Sequence, residues 1–334
     1  MTQIDIPAAQ ISFDCADNDT ILRAALRNGL GFPYECNVGT CGNCKFELIE
    51  GEVSHLRADS PGWHERDKQR NRYLGCQAKA LGPCKIKVSL RDHYKSHYVP
   101  QKVQGTLTAM TDITHDIREF RFRLSKPVEF LPGQYALIYA PHVEGGRAYS
   151  MSNITNTGDE WHFQIRKVPN GAATTVLFDK LSIGQTIDLD GPYGMAYLRE
   201  DAPRDLLLLA GGSGLSPMIS LSRGAIASKS LAGRNIHFIY GGRTPQDIAG
   251  EDMLRELEGF GARLFYYPVV SADTSGTWTG RTGFVHEVAA SLFGAHLADY
   301  EIYFAGPPLM ADAITRMVVE HKVPMSQVHF DQFS

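Results

Sequence analysis

The sequence predicts a multidomain protein that joins α+β and α/β modules, and three observations predict this fold class. All six cysteines lie in the first third of the chain, three of them in one glycine-containing loop. Short stretches of alternating apolar and polar residues dominate the middle third, whereas apolar strands alternate with helical stretches in the last third. A chain of 334 residues is long enough for two or three separate cores. We predict domains at residues 1–97, 103–199 and 200–334.

The composition excludes several classes of protein. The chain is 43% hydrophobic and 21% charged, as in soluble globular proteins, and its net charge is −4 with no basic block. A nucleic-acid partner is therefore not expected. The first five residues lack the basic flank and apolar core of a signal peptide, and the longest aliphatic run, residues 206–210, is too short to cross a bilayer. We expect a cytoplasmic protein without a membrane partner.

The first predicted element is a strand pair at residues 4–6 and 11–13, followed by a helix at residues 21–26 that Asp19 or Thr20 caps. After the cysteine loop, Phe46 and Leu48 alternate with charged residues as a strand. Residues 63–72 are polar and are expected to be irregular. A closing strand is predicted at residues 86–90, and residues 93–102 have the composition of a linker.

The cysteines of the first module have the spacing of metal ligands. Four of the six cysteines share this spacing: Cys36, Cys41 and Cys44 are separated by four and then by two intervening residues, and Cys76 follows after thirty-one more. This spacing is typical of plant-type ferredoxins, in which thiolates hold a 2Fe-2S cluster. Gly39 and Gly42 allow the tight turns that direct backbone amides at the sulfurs. A structural zinc site and a pair of disulfides are the alternatives.

The middle third predicts a β-barrel with an unusual polar segment. Strands are expected at residues 120–124, after Pro132-Gly133, and at residues 162–167. Residues 147–152 combine a cation, an aromatic ring and hydroxyl groups. The small-residue turn at residues 171–174 opens a predicted helix at 174–181, whose free amides and dipole favour a diphosphate.

The last third predicts an open parallel sheet. Its strands are expected at residues 206–209, 236–240, 264–270 and 302–304. A Gly-Gly-Ser-Gly-Leu-Ser-Pro loop follows the first of these strands and precedes a helix, which is the context that a phosphate-binding loop requires.

These motifs together resemble the ferredoxin-NADP reductase family, and the order of the modules is similar to that of the reductase components of bacterial multicomponent oxygenases. The resemblance covers essentially the whole chain. It implies a β-grasp ferredoxin domain, a Greek-key β-barrel flavin domain and an open parallel α/β nicotinamide domain. The cofactors that it implies are a 2Fe-2S cluster, FAD and NADH, with NADPH as the alternative coenzyme.

The resemblance also implies roles for individual residues of the flavin barrel. Arg147 pairs the FAD diphosphate, Tyr149 stacks on the isoalloxazine, and Ser150 faces the reactive flavin edge as a catalytic residue. The further FAD contacts that we expect are Ser152, Ile165, Lys167, Gly171, Ala172 and Thr174.

Further implied roles belong to the nicotinamide domain. The expected dinucleotide contacts are Gly211, Gly212, Ser213, Gly214, Pro217, Arg243, Gly306 and Pro307. Many members of the family carry cysteine where Ala305 stands. At the carboxyl end, Phe333 is expected to cover the flavin face, and Asp331 is expected to lie near Ser150 and to help protons move.

The function implied by the resemblance is electron transfer. NADH delivers a hydride to FAD, and the cluster passes single electrons to a Rieske-type ferredoxin or to an oxygenase component. Residues 32–36, 71–74 and 322–324 look most like the reductases of toluene and related aromatic monooxygenases, whose hydroxylase is a di-iron protein. The reductase of a Rieske dioxygenase and the reductase of a sugar-modifying enzyme are the alternatives. A monomer is expected.

Overall fold

This computed structural model describes residues 1–155, 158–273 and 276–332. The chain forms two compact units. The first consists of Met1–Lys102 with two short segments, Gly146–Ala148 and Asp190–Tyr193, and the second contains the other described residues. The second and third predicted domains thus fall mainly in one unit, and the three predicted domain bounds stay a prediction.

The strands of the described residues are numbered in chain order. They are β1 (Thr2–Ile6), β2 (Ile11–Cys15), β3 (Lys45–Glu50), β4 (Val53–His55), β5 (Arg72–Leu74), β6 (Ala78–Ala80), β7 (Cys84–Lys87), β8 (Gln101–Asp112), β9 (Ile117–Leu124), β10 (Tyr135–Tyr139), β11 (Arg147–Ser150), β12 (Glu160–Arg166), β13 (Thr186–Tyr193), β14 (Asp205–Gly211), β15 (Ile236–Gly242), β16 (Leu264–Val270), β17 (Arg281–Thr282), β18 (Tyr300–Gly306) and β19 (Val328–Gln332).

The α-helices of the described residues connect these strands. They are α1 (Ile21–Arg27), α2 (Glu65–Lys68), α3 (Ala172–Asp179), α4 (Leu215–Ala227), α5 (Glu251–Arg255), α6 (Val285–Phe293) and α7 (Pro308–Glu320). None of the helices in the described part of the chain is long and apolar enough to cross a membrane.

The first unit contains a mixed sheet with strand order β2-β1-β7-β3-β5. The strand β1 pairs antiparallel with β2 and parallel with β7. The helix α1 buries six of its seven residues, which agrees with the apolar spacing predicted for it. A sheet of this order with one long connection through a helix is the predicted β-grasp arrangement.

Two local predictions for the first unit were wrong. Residues 63–72 were expected to be irregular, but they include α2, because the carboxylate of Asp67 accepts a hydrogen bond from the His64 amide at 3.2 Å and caps the turn. The closing strand β7 ends at Lys87 instead of residue 90, since Glu47–Lys87 is its last residue pair in register with β3.

The barrel sheet has the strand order β11-β10-β13-β8-β9-β12. The strand β9 pairs antiparallel with both β8 and β12. Alternate residues of these strands point into a core rich in aromatic rings, and the fully buried rings are Phe120, Phe122, Trp161 and Phe163. The alternation predicted for this part of the chain is confirmed.

The last third of the chain forms a parallel sheet of order β17-β16-β15-β14-β18-β19. The strand β14 lies between β15 and β18, so connections leave it in both directions and the sheet has a topological switch point there. Ligands of such sheets bind at the carboxyl ends of the strands beside this point. The carboxyl-terminal segment, expected only as a tail, forms the edge strand β19 and pairs parallel with β18.

Candidate functional site

The predicted cluster ligands bring their sulfurs together in two pairs. The Sγ atoms of Cys44 and Cys76 lie 3.3 Å apart. The other pair is Cys36 and Cys41. The Cys41 thiol donates a hydrogen bond to the Cys36 sulfur, and this bond, together with nearby backbone amides, lowers the pKa of Cys36 to about 4. The amides of Thr40 and Cys41 each approach the Cys36 sulfur to 3.4 Å. Backbone donors therefore surround a site at which thiolate charge is stabilised.

The loop around these cysteines depends on glycine. Gly39 and Gly42 have φ angles of 89° and 78°, in the left-handed region that favours glycine. Sequence reasoning missed Gly62, whose amide donates to the Gly39 carbonyl at 3.0 Å. A Cβ atom on Gly62 would lie 2.7 Å from the amide nitrogen of Gly42, so only glycine permits this close approach.

The donor set fits a 2Fe-2S cluster better than the two alternatives. All six cysteines are free, so the disulfide alternative is not supported. A tetrahedral zinc ion would place its four sulfurs about 3.8 Å from one another. Among the described residues, no three cysteine sulfurs lie within 4.8 Å of one another. Two separate pairs suit two iron atoms, each with two thiolates.

The predicted flavin residues Arg147, Tyr149 and Ser150 lie in β11. Arg147 is exposed, Tyr149 is half-buried and packs against the barrel core, and Ser150 is only 4% exposed. The Ser150 Oγ atom is buried and has no hydrogen-bond partner within the described part of the chain. A buried hydroxyl group without a partner is costly, so a polar group of a bound ligand is expected there. This observation fits the predicted flavin.

Other predicted FAD residues lie deeper in the barrel. Ser152 is fully buried, and its hydroxyl donates to Glu119 Oε2 at 3.3 Å. Burial alone would raise the pKa of Glu119, but hydrogen bonds from Arg121 and Gln164 outweigh burial and lower this pKa. Ile165 is fully buried in the core, whereas Lys167 is exposed and pairs with Asp179 at 2.7 Å.

The small-residue turn occupies the start of α3, but the helix begins earlier than expected. Its first residue is Ala172 and Gly171 is the N-cap, whereas a start at Thr174 was predicted. The two alanines extend the helix because alanine has the highest helix propensity. The buried Thr174 hydroxyl donates to the Gly171 carbonyl at 3.2 Å. This bond holds the turn at the amino terminus of α3, which is the positive end of the helix dipole.

Two loops meet at the switch point of the parallel sheet. The residues Gly211, Gly212, Ser213 and Gly214 connect β14 to α4, which carries Pro217 in its first turn. A Cβ atom on Gly214 would lie 2.0 Å from the carbonyl oxygen of Ala305. The structure therefore brings this loop against the second predicted loop, Gly306 and Pro307, which follows β18.

The helix α4 joins the phosphate loop to the flavin segment, and sequence reasoning missed this link. Three of its side chains, spaced along one helical face, donate to backbone carbonyls of residues 150–153. The bonds are Ser216 to Ser150 at 2.7 Å, Ser220 to Asn153 at 2.7 Å and Arg223 to Ser152 at 2.8 Å. The signal in the sequence is a polar stripe in an otherwise apolar helix.

One cation lies beside the predicted phosphate loop, and another follows the neighbouring strand β15. Arg243 is exposed after β15, and its amide donates to Asp247 at 3.1 Å. Arg166, which sequence reasoning missed, pairs with Asp116 at 2.6 Å, and its Nη1 atom would lie 3.4 Å from a Cβ atom on Gly212. The sequence signal that could have identified Arg166 is a positively charged residue at the end of the strand β12.

The predicted catalytic tail is described in part. Asp331 lies in β19 and pairs in register with Ala305, next to the loop that follows β18. Phe333 lies outside the described residues. The predicted proximity of Asp331 to Ser150 stays a prediction.

Three family models match the chain. Residues 5–81 match the 2Fe-2S iron-sulfur cluster binding domain, residues 104–197 the oxidoreductase FAD-binding domain, and residues 208–316 the oxidoreductase NAD-binding domain. The three expected cofactor-binding domains are therefore present.

Curated relatives match over nearly their whole length. The chain is 38% identical to a ferredoxin–NAD(P)(+) reductase, CarAd, of Metapseudomonas resinovorans, over 96% of this chain and 96% of the relative. It is 30% identical to the phenol hydroxylase P5 protein of Acinetobacter pittii, over 99% of this chain and 94% of the relative.

A solved structure has the same fold. The ferredoxin reductase in carbazole 1,9a-dioxygenase superimposes with a TM-score of 0.93 and 38% identity, covering 99% of this chain and 98% of that chain. The predicted fold class is confirmed. On these grounds the chain belongs to the family of ferredoxin–NAD(P)(+) reductase components of multicomponent oxygenase systems.

Proposed function

We propose that this reductase takes electrons from NADH and delivers them singly to an iron-containing protein of an aromatic-ring oxygenase system. The observation that carries this proposal is that one chain combines a two-pair thiolate site with a phosphate loop at a topological switch point. When bound, FAD accepts a hydride as an electron pair, and the 2Fe-2S cluster transfers single electrons.

The residues that bind and orient the reactants in this proposal belong to the second unit, except Arg147, which is assigned to the first. The amides of the loop between β14 and α4 bind the coenzyme diphosphate at the helix amino terminus. Arg147 and the start of α3 hold the FAD diphosphate, and the Ser150 hydroxyl hydrogen-bonds the flavin edge. The bonds from α4 to residues 150–153 support this arrangement, because they fix the phosphate loop relative to Ser150.

There are two candidates for the electron acceptor. The 38% identity to the reductase in carbazole 1,9a-dioxygenase favours a dioxygenase system, and there we propose a Rieske-type ferredoxin or oxygenase as acceptor. The match to the phenol hydroxylase protein over 99% of this chain favours the second candidate, the hydroxylase of a di-iron aromatic monooxygenase. The rates at which the reduced protein reduces a purified Rieske ferredoxin and a purified di-iron hydroxylase distinguish them.

The experiment that tests the core of the proposal is an anaerobic titration of the purified protein with NADH and then with NADPH. We expect flavin and iron-sulfur absorbance that NADH bleaches at stoichiometric amounts and NADPH bleaches only in excess. Protein without these absorbance bands, or with bands that neither coenzyme bleaches, would contradict the proposal.

We also propose that Phe333 covers the flavin face and that Asp331 relays protons near Ser150. A stacked ring must leave before the nicotinamide can bind, and its stacking free energy of about 0.5–1.5 kcal/mol opposes that binding. Phe333→Ala is therefore expected to bind NAD more tightly, with a stronger charge-transfer band and slower turnover. Wild-type affinity and turnover in this variant would show that the ring is no shield.

The remaining proposals concern the state of the protein. We propose a monomer in the cytoplasm, since six free cysteines suit a reducing compartment. We also propose the domain bounds 1–97, 103–199 and 200–334, which the ranges matched by the family models support. Sedimentation analysis tests the monomer, and limited proteolysis tests the bounds.

A further inference from the structure

The helix α1 buries an arginine side chain against the cysteine loop. Arg23 is 7% exposed, and its Nε atom donates to Asn37 Oδ1 at 3.1 Å. Its Nη2 atom donates to the backbone carbonyls of Asn37 at 3.1 Å and of Cys76 at 3.4 Å. Asn37 directly follows Cys36. A guanidinium group keeps its charge at every physiological pH, so a permanent positive charge is fixed against the backbone of the predicted ligand Cys76 and of Asn37, the residue after Cys36.

The same contact determines which way the Asn37 amide points. A guanidinium group can only donate hydrogen bonds, so the Asn37 atom that faces it must be the oxygen. The Nδ2 atom then points away from Arg23. It is buried and has no hydrogen-bond partner within the described ranges of the chain, and Asn37 as a whole is 1% exposed.

A buried amide donor needs an acceptor, and this one lies on the residue next to Cys36. Polypeptide acceptors do not reach it in the described residues. The sulfur atoms of a bound cluster are the acceptors that this position offers. The buried cation orients the orphaned donor, and both lie against the loop of the predicted cluster ligands.

We propose that Arg23 and Asn37 raise the reduction potential of the 2Fe-2S cluster, Asn37 as a sulfur hydrogen-bond donor and Arg23 as the positioning residue that aims it. This inference rests on the proposed function. Reduction by one electron adds one negative charge to the cluster. A buried cation and an N–H donor stabilise the more negative form more strongly, and hydrogen bonds to the sulfurs are a known determinant of such potentials.

The backbone at Asn37 allows clean substitutions. Its φ angle is 56°, a left-handed conformation that glycine and aspartate also tolerate. Asn37→Asp keeps the size of the side chain and the oxygen that Arg23 binds, but replaces the N–H donor by a charged oxygen. Asn37→Gly removes the side chain only. Arg23→Lys keeps the positive charge, and Arg23→Gln removes it.

The experiment is an anaerobic redox titration of the full-length holoprotein, with the reduced cluster followed by electron paramagnetic resonance. At a fixed solution potential, Asn37→Asp and Arg23→Gln are expected to lower the ratio of reduced to oxidised cluster about tenfold, which equals about 59 mV for one electron. In Asn37→Gly the reduction potential of the cluster should fall by less, and in Arg23→Lys it should stay nearer the wild-type value. Arg66→Gln, which removes an exposed charge from the same unit, is the matched control and should not shift.

Iron and sulfide analysis separates this inference from the proposed function. A wild-type protein that holds no iron and sulfide would overturn both. A cluster-containing wild type whose potential is unchanged in Asn37→Asp and Arg23→Gln would overturn only the role of this pair. If Arg23→Gln does not fold, the two Asn37 variants decide the outcome, because they leave Arg23 in place.

Discussion

At the scale of single residues, Gly214 is a position where one methyl group is expected to disrupt coenzyme binding. A Cβ atom there would lie 2.0 Å from the Ala305 carbonyl oxygen, and backbone cannot move aside as a flexible side chain does. Gly214→Ala is therefore expected to raise the Michaelis constant for NADH at least about tenfold, equivalent to about 1.4 kcal/mol, while flavin and iron contents stay at wild-type values.

The control for this prediction is Gly233→Ala. A Cβ atom on Gly233 would meet no atom within 4 Å, so the same substitution has no steric cost there. Steady-state kinetics with NADH measure both variants. Equal Michaelis constants in Gly214→Ala and Gly233→Ala would show that the close approach of the two loops does not matter for the coenzyme.

The cluster ligands give a second prediction at this scale. Cys76→Ser removes one thiolate of the Cys44–Cys76 pair, so we expect loss of the cluster and of acceptor reduction. Reduction of the flavin by NADH should persist, because the phosphate loop belongs to the other unit. Iron content and stopped-flow absorbance measure the two effects. Cys84→Ala, a buried cysteine outside the ligand spacing, should keep its iron; full iron content in Cys76→Ser would refute the ligand assignment.

At the scale of elements, α2 depends on one carboxylate. Asp67 is 8% exposed, accepts the His64 amide at 3.2 Å and pairs with Lys45 at 2.8 Å. Asp67→Asn keeps an oxygen that can accept the His64 amide but removes the charge that pairs with Lys45, so it is expected to destabilise the first unit by about 1 kcal/mol, the upper end of the range for ion pairs near the surface. Urea denaturation measures this loss, and Glu65→Gln, which breaks only the exposed pair with Lys68, should change stability far less.

Stability should also depend on pH through Asp67. Burial alone would raise its pKa, but the hydrogen bond and ion pair with Lys45 outweigh burial and lower it below its ordinary value of 3.8. A lowered pKa in the folded state means that the stabilisation is present above pH 3.8 and is lost as pH falls through the folded-state pKa. The stability difference between wild type and Asp67→Asn should therefore shrink at acidic pH. A stability difference that does not change with pH would contradict the assignment of this stabilisation to the ionised Asp67 carboxylate.

The elements also show what a sequence can predict. The cysteine spacing and the apolar strand runs are local patterns, so the cluster loop and the four central parallel strands were predicted within a few residues. Arg23, Gly62 and Ser216 were not, because their roles depend on what packs against them. A charged residue in a short helix has the same local signal whether it faces water or a metal-binding loop. The strand β19 was missed for the same reason, since β18 is its only partner among the described strands.

At the scale of the whole molecule, a buried ion pair connects distant parts of the sequence within the first unit. Arg27 bonds both oxygens of Asp190, at 3.0 and 2.8 Å, and also bonds Asp19 at 2.9 Å. The Asp190 side chain is fully buried. Removing one partner of such a pair leaves an uncompensated charge, which costs about 3–5 kcal/mol.

Arg27→Ala is accordingly expected to lower the free energy of unfolding of the first unit by about 3–5 kcal/mol. Urea denaturation, with the cluster absorbance as the signal, measures this loss. Arg27→Ala combined with Asp190→Asn should recover part of the loss, because the fully buried charge of Asp190 is then gone, while Asp19 still has Lys102 at 3.7 Å. Arg57→Ala, which breaks an exposed pair with Asp59, serves as the control and should have little effect. A loss in Arg27→Ala no larger than in Arg57→Ala would contradict the prediction.

The separation of Arg27 from Asp190 also has a consequence for the nascent chain on the ribosome. The two residues are 163 positions apart in the sequence. At synthesis rates of about 5–20 residues per second, Asp190 is therefore added to the chain roughly 8–33 s after Arg27. Every predicted cluster ligand and the closing strand β7 emerge well before that time. The nascent ferredoxin module thus has all its predicted cluster ligands before its electrostatic anchor has been translated.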